Sequence, residues 1–324
     1  MPKRLLIAVA LLAAACAAPS RPLPAYTPPA GPTSGPTTAA RPAWRALADA
    51  PTARTEVTAT RVGGEVVVVG GMAGTWEPLR RTEVYDIAAD RWRPGPDLPA
   101  GAHHAMSATV DGRAYVFGGY DADRAPMTGA YRLDGDTWTP LAPLPSARAA
   151  GTAVAVGATV YVAGGIGPDG LADRMLVYDT EADRWSDVPG PPTPREHLAG
   201  VALDGRVHTI GGRVGANLGD HEVYDPATAA WSRLPRLPTA RSGLGAAAPC
   251  PGLAVVVGGE GADTFPQVEA YSAGRWSALP PSPTPRHGLG VVAVDGAVLA
   301  LAGGPRPGLT ESAAAEVLSV PCGR

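Results

Sequence analysis

Residues 195–238 read REHLAGVALDGRVHTIGGRVGANLGDHEVYDPATAAWSRLPRLP. The stretch resolves into four short strands. His197 to Leu203 is a first apolar strand, and Asp204-Gly205 is a tight-turn dipeptide. Arg206 to Ile210 is a second strand, ending in Gly211-Gly212. His221 to Tyr224 is a third, Asp225 to Ala230 make a turn, and Trp231 to Leu234 is a fourth. Pro235 and Pro238 then stop further pairing, because proline cannot donate to a ladder.

The same sentence is written six times. A glycine pair ends an apolar run at Gly70-Gly71, Gly118-Gly119, Gly164-Gly165, Gly211-Gly212, Gly258-Gly259 and Gly303-Gly304, at steps of 48, 46, 47, 47 and 45 residues. Tryptophan keeps the same phase at Trp44, Trp92, Trp138, Trp185, Trp231 and Trp276. An arginine precedes the glycine pair by 16 or 17 residues at Arg54, Arg148, Arg195, Arg241 and Arg286. Copy two has Ala102 there, followed by His103 and His104. A tyrosine follows each pair at Tyr85, Tyr131, Tyr178, Tyr224 and Tyr271, while copy six has Leu318. Asp directly follows the tyrosine at Asp86, Asp179 and Asp225.

Four strands per copy and a period near 46 residues predict an all-β, six-bladed β-propeller. One blade cannot bury both of its faces. A ring of blades does so and protects the sheet edges. The pattern Arg…Asp-Gly…Gly-Gly…Tyr-Asp…Trp resembles the kelch repeat over residues 42–320. The other common propeller repeat needs a Trp-Asp dipeptide, and none of the six phased tryptophans is followed by Asp.

The chain ends predict how the ring closes. Trp44 belongs to a fourth strand that no first three strands precede. The last copy has three strands, at Gly288 to Val294, Ala297 to Ala302 and Ala314 to Val320. Residues 43–48 therefore complete the last blade. This arrangement brings Cys250, in the first turn of blade 5, near Cys322, after the third strand of blade 6. The pair is a disulfide candidate.

The domain plan is a signal segment over 1–16, a linker over 17–42 and the propeller over 43–324. Lys3 and Arg4 form a positive end, Leu5 to Leu12 an apolar stretch, and Ala13 to Ala15 the small residues before a cut. Cys16 follows, so the segment resembles a bacterial lipoprotein signal, with Cys16 as the lipidation site. That family prefers Leu where this chain has Ala13, and cleavage within the alanine run of a plainly secreted protein is the alternative. Residues 17–42, rich in Pro, Thr, Ala and Gly, read as an extended spacer. The expected address is the cell envelope, with the membrane reached only through the lipid, and the expected state is a monomer. Lys3 is the only lysine, so arginine carries nearly all the positive charge. With abundant Ala, Gly and Pro, this points to GC-rich coding and a bacterial source. The net charge of −3 and the lack of a basic stripe argue against a nucleic-acid partner.

Function on such a scaffold belongs to loops. The loops after each glycine pair vary most: Met72 to Arg81 with Trp76, Tyr120 to Thr128, Ile166 to Arg174, Arg213 to Asp220, Glu260 to Pro266 and Pro305 to Ser312. Near the channel stand Glu56, His103, His104, Glu196, His197 and His287. These read either as solvated polar residues or as a metal or sugar site. No ligand spacing supports a metal, so neither metal nor cofactor is expected. The binding candidates are Trp76, His103, His104, Tyr120, His197, Arg213 and His287. The repeated arginines read as structural. No Ser/His/Asp signal or phosphate loop is present.

The reading favours a binding module outside the cell that recognises an envelope protein or a glycan through the loops of one face. The alternative is an enzyme. Six-bladed kelch proteins of bacteria include N-acetylneuraminate epimerase, a sugar mutarotase. That resemblance would cast Glu56, Arg195, Glu196 and His197 as catalytic candidates. A galactose oxidase-like copper enzyme is set aside, because the cysteines are poorly placed for a cross-linked tyrosine.

Overall fold

A computed structural model describes residues 41–322. The predicted signal segment, Cys16 and all but the end of the linker lie outside the described residues. Six four-stranded antiparallel sheets follow one another along the chain, each with its strands in up-and-down order. In blade 4 they are Ala199–Leu203, Arg206–Ile210, His221–Asp225 and Ala230–Arg233. The first strand starts two residues later than the sequence predicts, because Glu196 and His197 belong to the turn at the channel mouth.

The innermost strands are Thr58–Val62, Met106–Val110, Thr152–Val156, Ala199–Leu203, Ser242–Cys250 and Gly290–Val294. Each touches the next, and the last touches the first, so the ring is closed. The closure is made by Ala43–Ala46, the outer strand of blade 6, which pairs with Ala315–Ser319. Trp44 lies opposite Leu318 and Arg45 opposite Val317. On the face away from the mouth, Cys250 and Cys322 are bonded, with Cα atoms 5.5 Å apart.

The apolar pattern of each blade fills the gap to its neighbour. The six hydrophobic clusters each span two adjacent blades, as where Phe117 and Tyr115 of blade 2 meet Tyr178 and Trp185 of blade 3. The second strands are buried on both sides, and Val66, Val67, Val68 and Val69 are at most 2% exposed. Each phased tryptophan also donates its indole N–H to a backbone carbonyl of the preceding blade. Examples are Trp185 to Ala142 at 2.8 Å and Trp44 to Pro280 at 2.9 Å. Periodic tryptophan is therefore the repeat's way of joining outer strands.

One sequence assignment shifts. Tyr85, Tyr178, Tyr224 and Tyr271 lie opposite Trp92, Trp185, Trp231 and Trp276. In blade 2 the residue opposite Trp138 is Leu133, not Tyr131. Tyr131 sits two residues earlier, on the same side of the strand. Elsewhere that place holds Glu83, Leu176, Glu222, Glu269 and Glu316.

The repeated arginines explain both the glycine pairs and those glutamates. Arg195 is fully buried; its Nε donates to the Gly211 carbonyl at 2.6 Å and its Nη1 to Glu222 at 2.6 Å. Its own carbonyl accepts from the Gly165 N–H of blade 3 at 2.9 Å. Arg195 thus fastens the glycine pair of its own blade to that of the preceding one. Equivalent backbone links run from Gly71, Gly119, Gly212, Gly259 and Gly303 to Ala102, Arg148, Arg241, Arg286 and Arg54. At Gly118, φ is +56°, and a Cβ would lie 2.0 Å from the Arg148 carbonyl oxygen, so no other residue fits.

A buried histidine pair sits between blades 4 and 5. His208 Nδ1 and His221 Nε2 are 2.9 Å apart, and His221 packs edge-on against Tyr271 and Trp276. Burial pushes His208 down to about 4 and His221 down to about 3 from an ordinary 6.5. The folded protein holds both neutral, whereas the unfolded chain protonates them as pH falls below 6.5. Stability should therefore be fully present above pH 6.5 and fall between pH 6.5 and 4. Each titrating histidine contributes a slope of about 1.4 kcal/mol per pH unit. Urea denaturation at stepped pH tests this, and a His208→Phe/His221→Leu variant should show a shallower slope.

Candidate functional site

Two positions directly after the arginine position, where the chain turns into the inner strand, recur in every blade. The second of them forms a ring around the channel: Glu56, His104, Ala150, His197, Gly243 and Gly288. All six have positive φ, between +52° and +65°. The ring is bound by six backbone hydrogen bonds. His104 donates to Glu56, Ala150 to His104, His197 to Ala150, Gly243 to His197 and Gly288 to Gly243. Val57 donates to Gly288 and closes the circle. Each link needs the left-handed turn, which costs a residue with a side chain about 1–2 kcal/mol. Glycine and alanine meet this need most cheaply. Glu56, His104 and His197 do not, and they are the three large side chains of the ring.

The first of the two residues bridges to the residue after the glycine pair, a place held in blade 6 by Gly304, because the left-handed pair there is Ala302-Gly303 and not Gly303-Gly304. His103 pairs with Tyr120, Glu196 with Arg213, and His287 with Gly304, while Ser242 lies opposite Glu260. The two layers form one polar network. His287 Nδ1 donates to Glu56 Oε1 at 3.1 Å, and its Nε2 donates to the Arg306 carbonyl at 3.1 Å. His104 Nε2 lies 3.1 Å from Glu56 Oε2, and His104 Nδ1 lies 2.6 Å from His103 Nδ1. Glu196 Oε2 is 3.2 Å from His197 Nδ1. Arg213 donates to Glu196 at 2.8 Å, to Glu260 at 2.9 Å and to His197 Nε2 at 3.2 Å.

The protonation states follow from these contacts. Burial works against the Glu56 carboxylate, yet the imidazoles of His104, His287 and His197 hold its pKa well below the usual range. Burial outweighs the Glu56 charge at His104 and pushes that imidazole down to about 3. Neutral His104 therefore donates from Nε2 to Glu56 and accepts at Nδ1 from His103. This leaves His103 Nε2, which is buried, without a partner. Burial also opposes charge on His287, but the Glu56 hydrogen bond and the Glu56 and Glu260 charges raise its pKa. Glu196 is pushed down to about 2 against its burial by His197 and Arg213. Burial and the Glu196 charge push Tyr120 up to about 12. The mouth can therefore hold charge, donate from an imidazolium and accept at a free imidazole nitrogen.

The channel lies directly beneath. A chamber of about 90 Å³ is lined by the ring and by Val57, Ala105, Gly151, Leu198, Leu244 and Leu289. It shares these six residues with the channel cavity below, of about 200 Å³.

The structure brings most of the sequence-predicted residues together. Glu56, His103, His104, Tyr120, Glu196, His197, Arg213 and His287 all stand at the mouth. Arg195 does not. Its guanidinium is fully buried in the contacts to Gly211 and Glu222, so its sequence adjacency to Glu196 and His197 misled the catalytic assignment. Fixed spacing is absent from the sequence, yet donor atoms of Glu56, His104 and His197 all lie within 4.8 Å of one another. Glu260 was not singled out, although it follows its glycine pair just as Arg213 and Tyr120 follow theirs. Trp76 stands apart on its loop, 46% exposed, with the Arg124 guanidinium 5.2 Å from its ring centroid.

The chain belongs to the kelch-repeat family. The KLHDC2/KLHL20/DRC7 Kelch-repeats domain matches residues 94–259, and the Kelch motif matches residues 53–99. The chain is similar to Kelch-like protein terF of Aspergillus terreus, at 27% identity over 252 residues. That match covers 68% of this chain and 54% of that protein. It is 43% identical to human Kelch-like protein 35 over 152 residues, covering 47% of this chain and 25% of that protein. Mouse Kelch-like protein 35 matches at 29% over 184 residues, covering 56% and 31%. The chain spans about half or less of the length of these curated relatives. Kelch-repeat propellers are typically protein-interaction modules.

The ring makes a position-specific prediction. A Cβ on Gly288 would lie 2.5 Å from the Glu56 carboxyl and 2.8 Å from the Glu56 nitrogen. On Gly243 the nearest atom is His287 Cβ at 3.3 Å, and Ala150 already occupies the equivalent place. Gly243→Ala should cost about 1 kcal/mol, the left-handed penalty alone. Gly288→Ala should cost at least about twice that, since Glu56 must also move. Urea denaturation of the two variants measures the difference.

Proposed function

We propose that this propeller is an extracytoplasmic binding module that grips a protein ligand with the loops of its mouth face. The observation that carries the reading is where apolar surface is left open. Among the described residues the exposed large hydrophobic side chains are Trp76, Leu171 and Val214. All three lie on loops that follow a glycine pair, in blades 1, 3 and 4. Binding surfaces use such exposed anchors, with aromatic residues prominent among them. Two of the three are aliphatic, which favours a protein over a glycan, because sugars stack on aromatic rings. On the opposite face the strands are joined by short turns, among them Asp111-Gly112, Asp204-Gly205 and Asp295-Gly296. Export rests on the charged, apolar and small-residue order of residues 1–16, and lipid anchoring on Cys16. The Pro/Thr/Ala-rich segment that follows would hold the mouth face away from a membrane surface.

The test is a quantitative pull-down from envelope extract with cross-linking mass spectrometry. The Trp76→Ser/Leu171→Ser/Val214→Ser variant should recover the specific partner at least about tenfold less well than wild type. An Asp136→Ala/Glu181→Ala variant, altered on the turn face, should recover it fully. Equal recovery by the loop variant, at unchanged melting temperature, contradicts the reading.

A further inference from the structure

We propose that Glu56, His104 and His197 form a site for one divalent transition-metal ion of the zinc class on the propeller axis, with a coordination position open to the chamber beneath. Two imidazoles and a carboxylate are a donor set for such ions. Sets of three protein ligands leave room for a water or another small ligand. The three side chains come from blades 1, 2 and 4 and converge because each occupies the same ring position.

The surroundings of each side chain match what a metal ligand needs. A ligating histidine has its other ring nitrogen held, and a ligating carboxylate has its second oxygen held. His197 Nδ1 faces Glu196 Oε2 at 3.2 Å, which leaves Nε2 for the ion. His104 Nδ1 faces His103 Nδ1 at 2.6 Å, which again leaves Nε2. Glu56 gives Oε1 to His287 at 3.1 Å and turns Oε2 toward His104 at 3.1 Å. The donor atoms, within 4.8 Å of one another, must close in. Bonds of 2.0–2.1 Å place tetrahedral ligands about 3.3 Å apart, a shift of about an ångström.

Space and charge agree with this. Ala150, Gly243 and Gly288 fill the other ring positions with little or no side chain, and the chamber of about 90 Å³ exceeds what one water needs. Glu56, Glu196 and Glu260 bring three carboxylates to the mouth, against Arg213 and His287. Arg213 now donates to His197 Nε2, and the ion would take that place while Arg213 keeps Glu196 and Glu260.

The experiment uses the full chain with metal alone. Cobalt(II) chloride titrated into wild-type protein should give visible ligand-field bands that saturate at one equivalent, and zinc chloride should bleach them. Competition with a chelating dye should show zinc affinity at least about 100-fold weaker in His197→Ala and in His104→Ala. Glu196→Gln, which changes the partner of His197 Nδ1 and of Arg213, should weaken zinc about 10–100-fold. His208→Phe, at the histidine pair outside the mouth, should leave affinity unchanged. Wild-type protein without saturating bands overturns the proposal irrespective of how any variant folds. Zinc affinity that is equal in wild type, His104→Ala and His197→Ala overturns it too.

Discussion

A full positive charge is buried out of contact with water near the mouth of five of the six blades. Arg54, Arg148, Arg195, Arg241 and Arg286 are at most 2% exposed. Such burial is costly unless the charge is paired and its hydrogen bonds are met. In four blades a carboxylate from the third strand meets it: Glu83 at 2.8 Å, Glu222 at 2.6 Å, Glu316 at 2.8 Å, and Glu269. Blade 3 has Leu176 there, and Arg148 rests on the carbonyls of Gly164 and Arg174, with its Nε unpartnered. Blade 2 drops the charge altogether, with Ala102 and Tyr131 joining one apolar cluster. Arginine and glutamate are both missing there, so neither buried charge has to be met. The same residue offers its carbonyl to the glycine pair of the preceding blade, so one position fixes both blade geometry and blade spacing.

That division of labour frees the next residues along the chain. Once the arginine carbonyl and the glycine pair are fixed, the chain must turn through a left-handed residue to start the inner strand. The turn is repeated six times, and its side chain always points to the same ring. A sequence that needed only the turn would place glycine or alanine at every copy, as at Gly243, Gly288 and Ala150. Glu56, His104 and His197 accept backbone strain in exchange for chemistry at the axis. Strain held by a well-determined frame is a property of functional positions. The protein therefore carries two separable surfaces on one face: a polar, nearly buried mouth and an outer set of loops with open apolar side chains.

The frame was legible because repetition multiplies weak signals. Glycine pairs and tryptophans in one phase gave the blade number, and the unpaired ends gave the closing strand. Tyr131 was misread because its distance from the glycine pair resembles that of the true tyrosines. Only pairing with Trp138 shows that Leu133 holds the place. The glutamate partners were visible two residues before Tyr85, Tyr224, Tyr271 and Leu318, but their meaning depends on a guanidinium some 28 residues away in sequence. The mouth was half legible. Its residues could be assigned to strand starts, whereas their convergence is a product of ring closure, which joins His287 to Glu56 across 231 residues. Arg195 failed as a site residue for the same reason. Neighbours in sequence there point to opposite sides of a turn, one into the frame and the other to the axis.

The claim that a buried ion pair fastens four of the six blades is tested most directly by a double-mutant cycle on Arg195 and Glu222, read by urea denaturation. Arg195→Met alone should cost about 3–5 kcal/mol, because it strands a buried carboxylate. Glu222→Leu alone should cost less, since blade 3 shows that the guanidinium can rest on carbonyls. The double variant should be at least about 1 kcal/mol more stable than the sum of the two losses allows. Losses that simply add, to within about 0.5 kcal/mol, would mean that the two side chains do not depend on each other.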